Sequence, residues 1–434
     1  MTFQMPDFSH AFAQRSRDLY HIRFLDDGYP GKVIENEIVP HPLFGTFVIR
    51  DYVTQFEETG APQLKEAIMR VADAAISRME KFHDAIVFWY PLESSYNYSN
   101  QLYYSGLTQS HYMQLFSKVY ELTGETRYKI AAEKMFASLK IPVDSGGVYH
   151  LSSYGPTVQE TPMSPISHIL NGWLSAITNI KRFADTFKHK EAHQFWEENM
   201  STLMKMLPLF DIPKLANTRY LLNGPVAFKL VTTIQNVEIH KVKLKVPDEG
   251  IYDITLPEIK KSWSNFIEPR SVRVEGPKIL FNNKKAKITA LVSRYPYPSE
   301  NKLILTLASP ENTTLSVEMQ HGEFLPTKNR QQNCQFTQIA HVPLAKGFNQ
   351  LEISIPRDLS ELVGYPTIFK QIGTRYYNNY HFIHIVKMED FYQDTGENIF
   401  KHYAEKWNEY VKMWPTMELY NGMEARTYEF IRLR

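Results

Sequence analysis

The sequence predicts a multidomain α and β protein, a toroid-like helical domain with an inserted antiparallel β-sandwich. Three observations predict it. A helix, Thr-Gly, helix unit recurs along the chain. A block with period-two hydrophobicity interrupts the recurrence. The helical unit then resumes.

The first unit is "LFGTFVIRDYVTQFEETGAPQLKEAIMRVADAAISRM" and the second is "HYMQLFSKVYELTGETRYKIAAEKMFASL". A third, "HFIHIVKMEDFYQDTGENIFKHYAEKWNEYV", lies far downstream. Thr59-Gly60, Thr123-Gly124 and Thr395-Gly396 occupy equivalent joints, where glycine takes the left-handed conformation that ends a helix. The segment "ITNIKRFADTFKHKEAHQFWEENMSTLMKML" is read as a fourth copy that has lost its Thr-Gly. Apolar residues such as Ile399, Phe400, Tyr403, Trp407 and Val411 recur at three and four, one buried face per helix. Each hairpin has a stripe it cannot bury alone, so hairpins stack, as an open solenoid or as a toroid around a cleft.

The interrupting block alternates. Val242, Leu244 and Val246 form one run; Ala286, Ile288, Ala290 and Val292 another; Leu303, Leu305 and Leu307 a third; Leu315, Val317 and Met319 a fourth. Turn material such as "FNNKK" and "SPENTT" separates them, as expected of half-buried antiparallel strands. The expected division is 1–225 for the first part of the helical domain, with 1–35 an irregular arm. Residues 226–360 are the inserted sandwich, and 361–434 are the second helical part with a tail. "YNGM" near the end reads as a turn.

Composition narrows the function. Lys plus Arg number 48 against 47 Asp plus Glu, which gives no electrostatic case for nucleic acid. The single cysteine, Cys334, excludes an intrachain disulfide. No apolar run reaches the roughly 18 residues of a membrane span, and no secretory leader is legible. The expectation is a cytoplasmic bacterial protein, with export left open. No phosphate-binding glycine pattern, serine elbow or zinc spacing stands out, so neither a cofactor nor a metal is expected. With 26 Tyr, 26 Phe and 6 Trp, the aromatic content suits core packing and also carbohydrate contact.

Two stretches hold the candidate chemistry. In "SYGPTVQETPMSPISHILNGW" a lone acid, Glu160, stands among prolines just before a helix pattern. That helix is expected to begin near Pro165, with Ser164 as N-cap. Glu160 is then either an acid that satisfies helix-start amides or an arginine, or a base at the cleft. Asn171-Gly172 falls within the helix and reads as a packing or kink position. In "YHFIH", Tyr380, His381 and His384 sit at another helix start, and His384 shares a face with both. A histidine pair three apart is weak evidence for metal. His381, His384 or Arg375 would supply the partner that a tyrosine needs to act at neutral pH.

Taken in order, "SGLTQSHYMQLFSKVYELTGETRYKIAAEKM", "QETPMSPISHILNGW", "LMKMLPLFD", "YHFIHI" and "FYQDTGENIFKHYAEKW" resemble the carboxy-terminal catalytic domain of the D-glucuronyl C5-epimerase family. The resemblance covers residues 35 to 222 and 375 to 411. It implies an incomplete α/α toroid that interconverts D-glucuronate and L-iduronate within a heparosan-like polymer. The strand block has no counterpart at that place in the family.

The family uses a Glu-Tyr-Pro motif, a Leu-Pro-Leu-Tyr motif and a Tyr-His-x-x-His motif. Here the first reads Glu160-Thr161-Pro162 and the second ends in Phe210, so two hydroxyls are missing. The third is intact. The implied catalytic residues are Glu160, Tyr380 and His381, with Tyr220 a candidate replacement for a lost tyrosine. The implied substrate contacts are Gln109, Arg219, His384, Arg375, Tyr376 and Tyr377. Arg219 is chosen because its fork matches a carboxylate, with a rim salt bridge as the alternative. Tyr376 and Tyr377 lie in "LVGYPTIFKQIGTRYYNNY", read as a loop over the cleft.

The leading expectation is a polysaccharide uronate C5-epimerase-like enzyme, acting in capsule or exopolysaccharide formation. Its partner would be a uronate-containing polysaccharide, and a homodimer is allowed. Three other readings stay open: a polysaccharide lyase, a glycoside hydrolase pairing Glu160 with Glu93, and an inactive glycan-binding protein.

Overall fold

A computed structural model describes residues 3–8, 22–91, 102–247, 249–254, 265–293, 301–324, 326, 331–356, 359, 363–372 and 375–421. The turn expected at "YNGM" extends outside the described residues.

The chain folds as a mixed α and β protein. Eight α-helices among the described residues form four hairpins. They are α1 (Phe44–Thr59) with α2 (Pro62–Ile76), and α3 (Gly106–Thr123) with α4 (Thr126–Ser138). Then come α5 (Leu170–Phe187) with α6 (Lys190–Phe210), and α7 (Asn379–Thr395) with α8 (Asn398–Met413).

The Thr-Gly joints work as the sequence predicts. Gly60, Gly124 and Gly396 have φ of 64°, 73° and 73°. Each N–H bonds back to the carbonyl four residues earlier, to Phe56, Tyr120 and Tyr392. The threonines add a second device. Thr59, Thr123 and Thr395 donate their hydroxyls to the carbonyls of Gln55, Val119 and Phe391. Each hydroxyl oxygen then accepts the N–H two residues on, from Ala61, Glu125 and Glu397. The same pair of bonds thus turns three hairpins. In the fourth, Lys188 takes the left-handed conformation at φ 48° in place of glycine.

The first helices of successive hairpins pack on one another: α1 on α3, α3 on α5, α5 on α7. One hydrophobic core runs through all four hairpins, with Trp173, Trp407, Phe116 and Phe183 fully buried.

Between α6 and α7 the chain forms two antiparallel sheets. The five-stranded sheet runs Phe266–Ile267, Lys285–Ser293, Asn223–Thr232, Thr313–Phe324, Gln331–Leu344. The second runs Val272–Glu275, Lys278–Phe281, Glu238–Val246, Lys302–Ser309, Gly347–Ser354, with Gly250–Asp253 beside Glu238–Val246. Both contribute to a separate core of Phe228, Leu244, Ile288, Leu305 and Val317. In Lys302–Ser309 every second side chain is buried, so Leu303, Leu305 and Leu307 face inward as the alternation predicts. No helix among the described residues is long and apolar enough to cross a membrane.

One boundary differs from the expectation. Helix α5 begins at Leu170, five residues after Pro165, and Ser164 does not cap it. The intervening residues are held elsewhere. Asn223 donates its side-chain amide to the carbonyls of Pro165 and Ile166. Ser167 accepts from Leu222 N–H, and Glu249 accepts from Ile166 N–H at 2.8 Å. Backbone committed to the sheet block is unavailable to a helix.

Candidate functional site

Glu160 lies half-buried against the first turn of α5. Its carboxylate accepts from Asn171 Nδ2 at 3.4 Å. It occupies the space a side chain at position 172 would need: a Cβ on Gly172 would fall on the Glu160 carboxylate, 2.9 Å from its Cδ. Burial pushes the Glu160 carboxyl up to about 7, against which the Asn171 bond acts weakly. Tyr90 lies near enough to feel the same charge. Burial first, and then Tyr103 and Glu160, hold its hydroxyl well above the ordinary range.

Tyr220 and Tyr380 face one another, ring centroids 4.8 Å apart at 50°. Tyr220 follows a short hairpin in which Asp211 pairs with Thr218 and Ile212 with Asn217. That hairpin continues the carboxy-terminal end of α6, so Tyr220 returns beside Leu209 and Phe210; Arg219 N–H bonds the Phe210 carbonyl at 2.7 Å. Tyr220 also meets α5, because its carbonyl accepts Leu170 N–H at 2.9 Å. The residue after Leu170 is the Asn171 that bonds Glu160. The first turns of α5 and α7 and the segment at Tyr220 therefore converge.

His381 and His384 are fully buried and share one hydroxyl. Thr218 Oγ1 is 3.1 Å from His381 Nδ1 and 2.9 Å from His384 Nδ1. His381 Nε2 lies 2.9 Å from the Trp407 carbonyl, which only accepts. Its proton is therefore on Nε2, and Nδ1 accepts the Thr218 hydroxyl. That hydroxyl has one proton, so His384 Nδ1 must donate to it. His384 Nε2 is left with a lone pair and no hydrogen-bond partner. Burial pushes His381 down to about 4 and His384 well below its ordinary value, so both are neutral. Neither is placed to charge a tyrosine at neutral pH.

Two expected substrate contacts are instead spent on the fold. Gln109 is fully buried; its oxygen accepts Phe88 N–H, and its amide donates to the Ile86 carbonyl and the Ser138 hydroxyl. Arg219 is 3% exposed. Its guanidinium donates to the carbonyls of Leu209, Asp211 and Val363 at 2.9, 2.9 and 3.3 Å. It braces the hairpin rather than reaching a ligand, because its Nη1 and Nε are committed to backbone.

Tyr376 and Tyr377 are half-buried on a strand, Arg375–Tyr377, that pairs with Lys370–Ile372. The expected loop is thus partly a two-stranded ribbon. The Arg375 side chain and Glu93 lie outside the described residues. Cys334 is exposed. Among the described residues no group of three or more His, Cys, Asp or Glu is arranged for metal.

The sequence reading missed two groups of residues. Asn171 and Gly172 are one unit with Glu160, a donor and a gap, rather than the packing or kink position the dipeptide suggests. Asp211 is 8% exposed and accepts from Lys406 Nζ, Trp407 Nε1 and Tyr410 Oη at 2.6, 3.0 and 2.9 Å. It ties the Tyr220 hairpin to α8. Nothing in "LPLFD" marks those partners nearly two hundred residues away.

Part of the chain is similar to a known domain. Residues 81–263 match the D-glucuronyl C5-epimerase C-terminus. The epimerase match spans Glu160 and Tyr220, runs into the sheet block, and stops before α7, which the quoted landmarks include. An uncharacterized protein of Methanocaldococcus jannaschii is 23% identical over 203 residues. That alignment covers 42% of this chain and 64% of the relative, so the chain spans less than two thirds of the relative's length. Among solved structures, a GH76 alpha-mannanase of Bacteroides thetaiotaomicron aligns with a TM-score of 0.32 at 14% identity, covering 46% of this chain and 48% of that one.

Proposed function

We propose that this protein is a uronate C5-epimerase-like enzyme acting on a glucuronate-containing polysaccharide. The four hairpins are read as an incomplete α/α toroid, the two sheets as a sandwich inserted into it. What supports the reading is that Tyr220 faces Tyr380 and bonds through its carbonyl to the first turn of α5, beside the Asn171 that bonds Glu160, within a chain whose residues 81–263 match the epimerase domain.

The chemistry follows from those groups. Glu160, as carboxylate, takes the C5 proton; the electron pair of the broken C5–H bond moves into the adjoining carboxylate of the sugar. A tyrosine hydroxyl returns a proton to C5 from the other face, and solvent exchange restores both groups. A base poised near 7 is matched to operation near neutrality. Tyr220 supplies the hydroxyl that Phe210 lacks, since the hairpin brings it to the end of α6.

The experiment is proton exchange. Heparosan and other uronate polymers are incubated with the protein in heavy water, and C5 deuterium is read by NMR. Deuterium with an intact chain is expected, lost in Tyr380→Phe and reduced in Tyr220→Phe. Unsaturated chain ends instead would mean elimination. Polymer binding with neither signal would leave a glycan-binding protein and overturn the proposal.

A further inference from the structure

A pocket of about 410 Å³ lies between the first helices of all four hairpins, bounded by α1, α3, α5 and α7. That volume is within the range of small-molecule sites. It is separate from Glu160 but on the same helix faces. Along α5, Asn171, Ser175, Asn179 and Arg182 recur at three and four, so they share one face. Along α7, Tyr380, Ile383, Lys387 and Asp390 do the same. In each series all but the first residue line the pocket. At about 1.5 Å per residue, Arg182 lies about 15 Å along α5 from Gly172.

The lining is polar and carries one more cationic side chain than acids. Arg50 of α1 and His111 of α3 close the pocket opposite α5 and α7. Arg50 Nη2 lies 2.8 Å from His111 Nδ1, and a guanidinium only donates. The imidazole therefore accepts there and carries its proton on Nε2. Asn179, 2% exposed, donates to the same Nδ1 at 3.1 Å and fixes the ring. Three cationic side chains, Arg50, Arg182 and Lys387, face two acids, Glu389 and Asp390, and Asp390 is bonded to Lys387 at 3.3 Å. Ser175 and Thr178 add hydroxyl oxygens suited to a sugar.

We infer that this pocket is a second subsite, which holds the carboxylate of another uronate residue further along the polymer. The inference rests on the proposed polymer substrate, and its test is independent of catalysis. Methyl β-D-glucuronoside and methyl β-D-glucoside are titrated into the full chain by NMR. The glucuronoside is expected to bind at least tenfold more tightly than the glucoside. Arg182→Gln should weaken it at least fivefold, and Thr178→Leu, which fills the pocket, should do the same. Glu160→Gln should leave that binding unchanged while abolishing C5 exchange. A hexasaccharide with alternating glucuronate should bind more tightly than the glycoside, and Arg182→Gln should remove that gain. Equal affinity for the two glycosides, no binding of either, or wild-type affinity in both pocket variants overturns the inference, whatever the exchange assay gives. Loss of exchange with retained, Arg182-dependent binding would sink the epimerase reading and leave the subsite standing.

Discussion

The carboxylate of Glu160 rests on the bare α-carbon of Gly172, in the first turn of α5. A glycine inside a helix costs roughly 0.5–1 kcal/mol relative to alanine. Here the missing side chain is what admits a charged group to the helix surface. A single methyl group would force the carboxylate away from Asn171.

Gly172→Ala should therefore lower C5 exchange by roughly 10²-fold, the size expected when a reacting group is displaced by about an ångström. The melting temperature should fall, since the added methyl group would also lie 2.5 Å from the Glu160 Cβ, a clash that a change of side-chain rotamer cannot relieve. A variant with wild-type exchange would show that Glu160 does not act from this position.

Glu160→Gln keeps the shape and removes the charge. Exchange should fall by roughly 10²–10⁴-fold, the usual worth of a positioned base. In the wild type the rate should rise with pH and level off above about 7, where the carboxyl is ionised. A profile flat across pH 6 to 8 would assign the base elsewhere.

Thr218→Val removes the hydroxyl that both histidines need. His381 Nδ1 loses its donor and His384 Nδ1–H loses its acceptor, each inside the core. Unfolding in denaturant should show a loss of roughly 1–3 kcal/mol for each group left unsatisfied. Thr218→Ser should recover most of it, and equal losses in the two variants would rule out the shared bond.

Acid should destabilise the protein. Burial holds His381 down to about 4, so between pH 6.5 and 4 the unfolded chain binds a proton that the native one does not. Stability then falls as pH drops through that window, by about 3 kcal/mol for this residue, and is level below it. His41, His168 and His384 are pushed the same way by burial. Glu160 acts oppositely: between 4.5 and 7 the native state holds the extra proton, so its ionisation costs stability as pH rises. With four groups against one, the melting temperature should decline from pH 6.5 to 4. A rise over that range would contradict the buried, neutral histidines.

Periodicity and punctuation were legible in the sequence. Three Thr-Gly joints, and the alternation of Leu303, Leu305 and Leu307, carry their geometry locally, because φ at one glycine or the pleat of one strand decides them. The start of α5 was not legible. It is set by Asn223 and Glu249, which come from the sheet block and compete for the same backbone. The same reason explains Arg219 and Gln109. Residue type announces what a side chain can bind, and only the fold says whether its hydrogen bonds are already made. Glu160 stood out as a lone acid among prolines and Tyr380 as part of an intact Tyr-His-x-x-His motif; the partnership with Gly172 did not, since a missing side chain leaves no chemical signature.

The bond between Thr218 and His381 joins positions 163 residues apart, across the whole sheet block. On a ribosome that adds about 5–20 residues per second, one partner waits roughly 8 to 30 s for the other. Three hairpins and both sheets emerge before α7 exists. Tyr220 is thus born without Tyr380, and the last hairpin must dock onto a surface already folded. The protein acquires its paired tyrosines as a late act of synthesis, and a nascent chain halted in the sheets carries half a site.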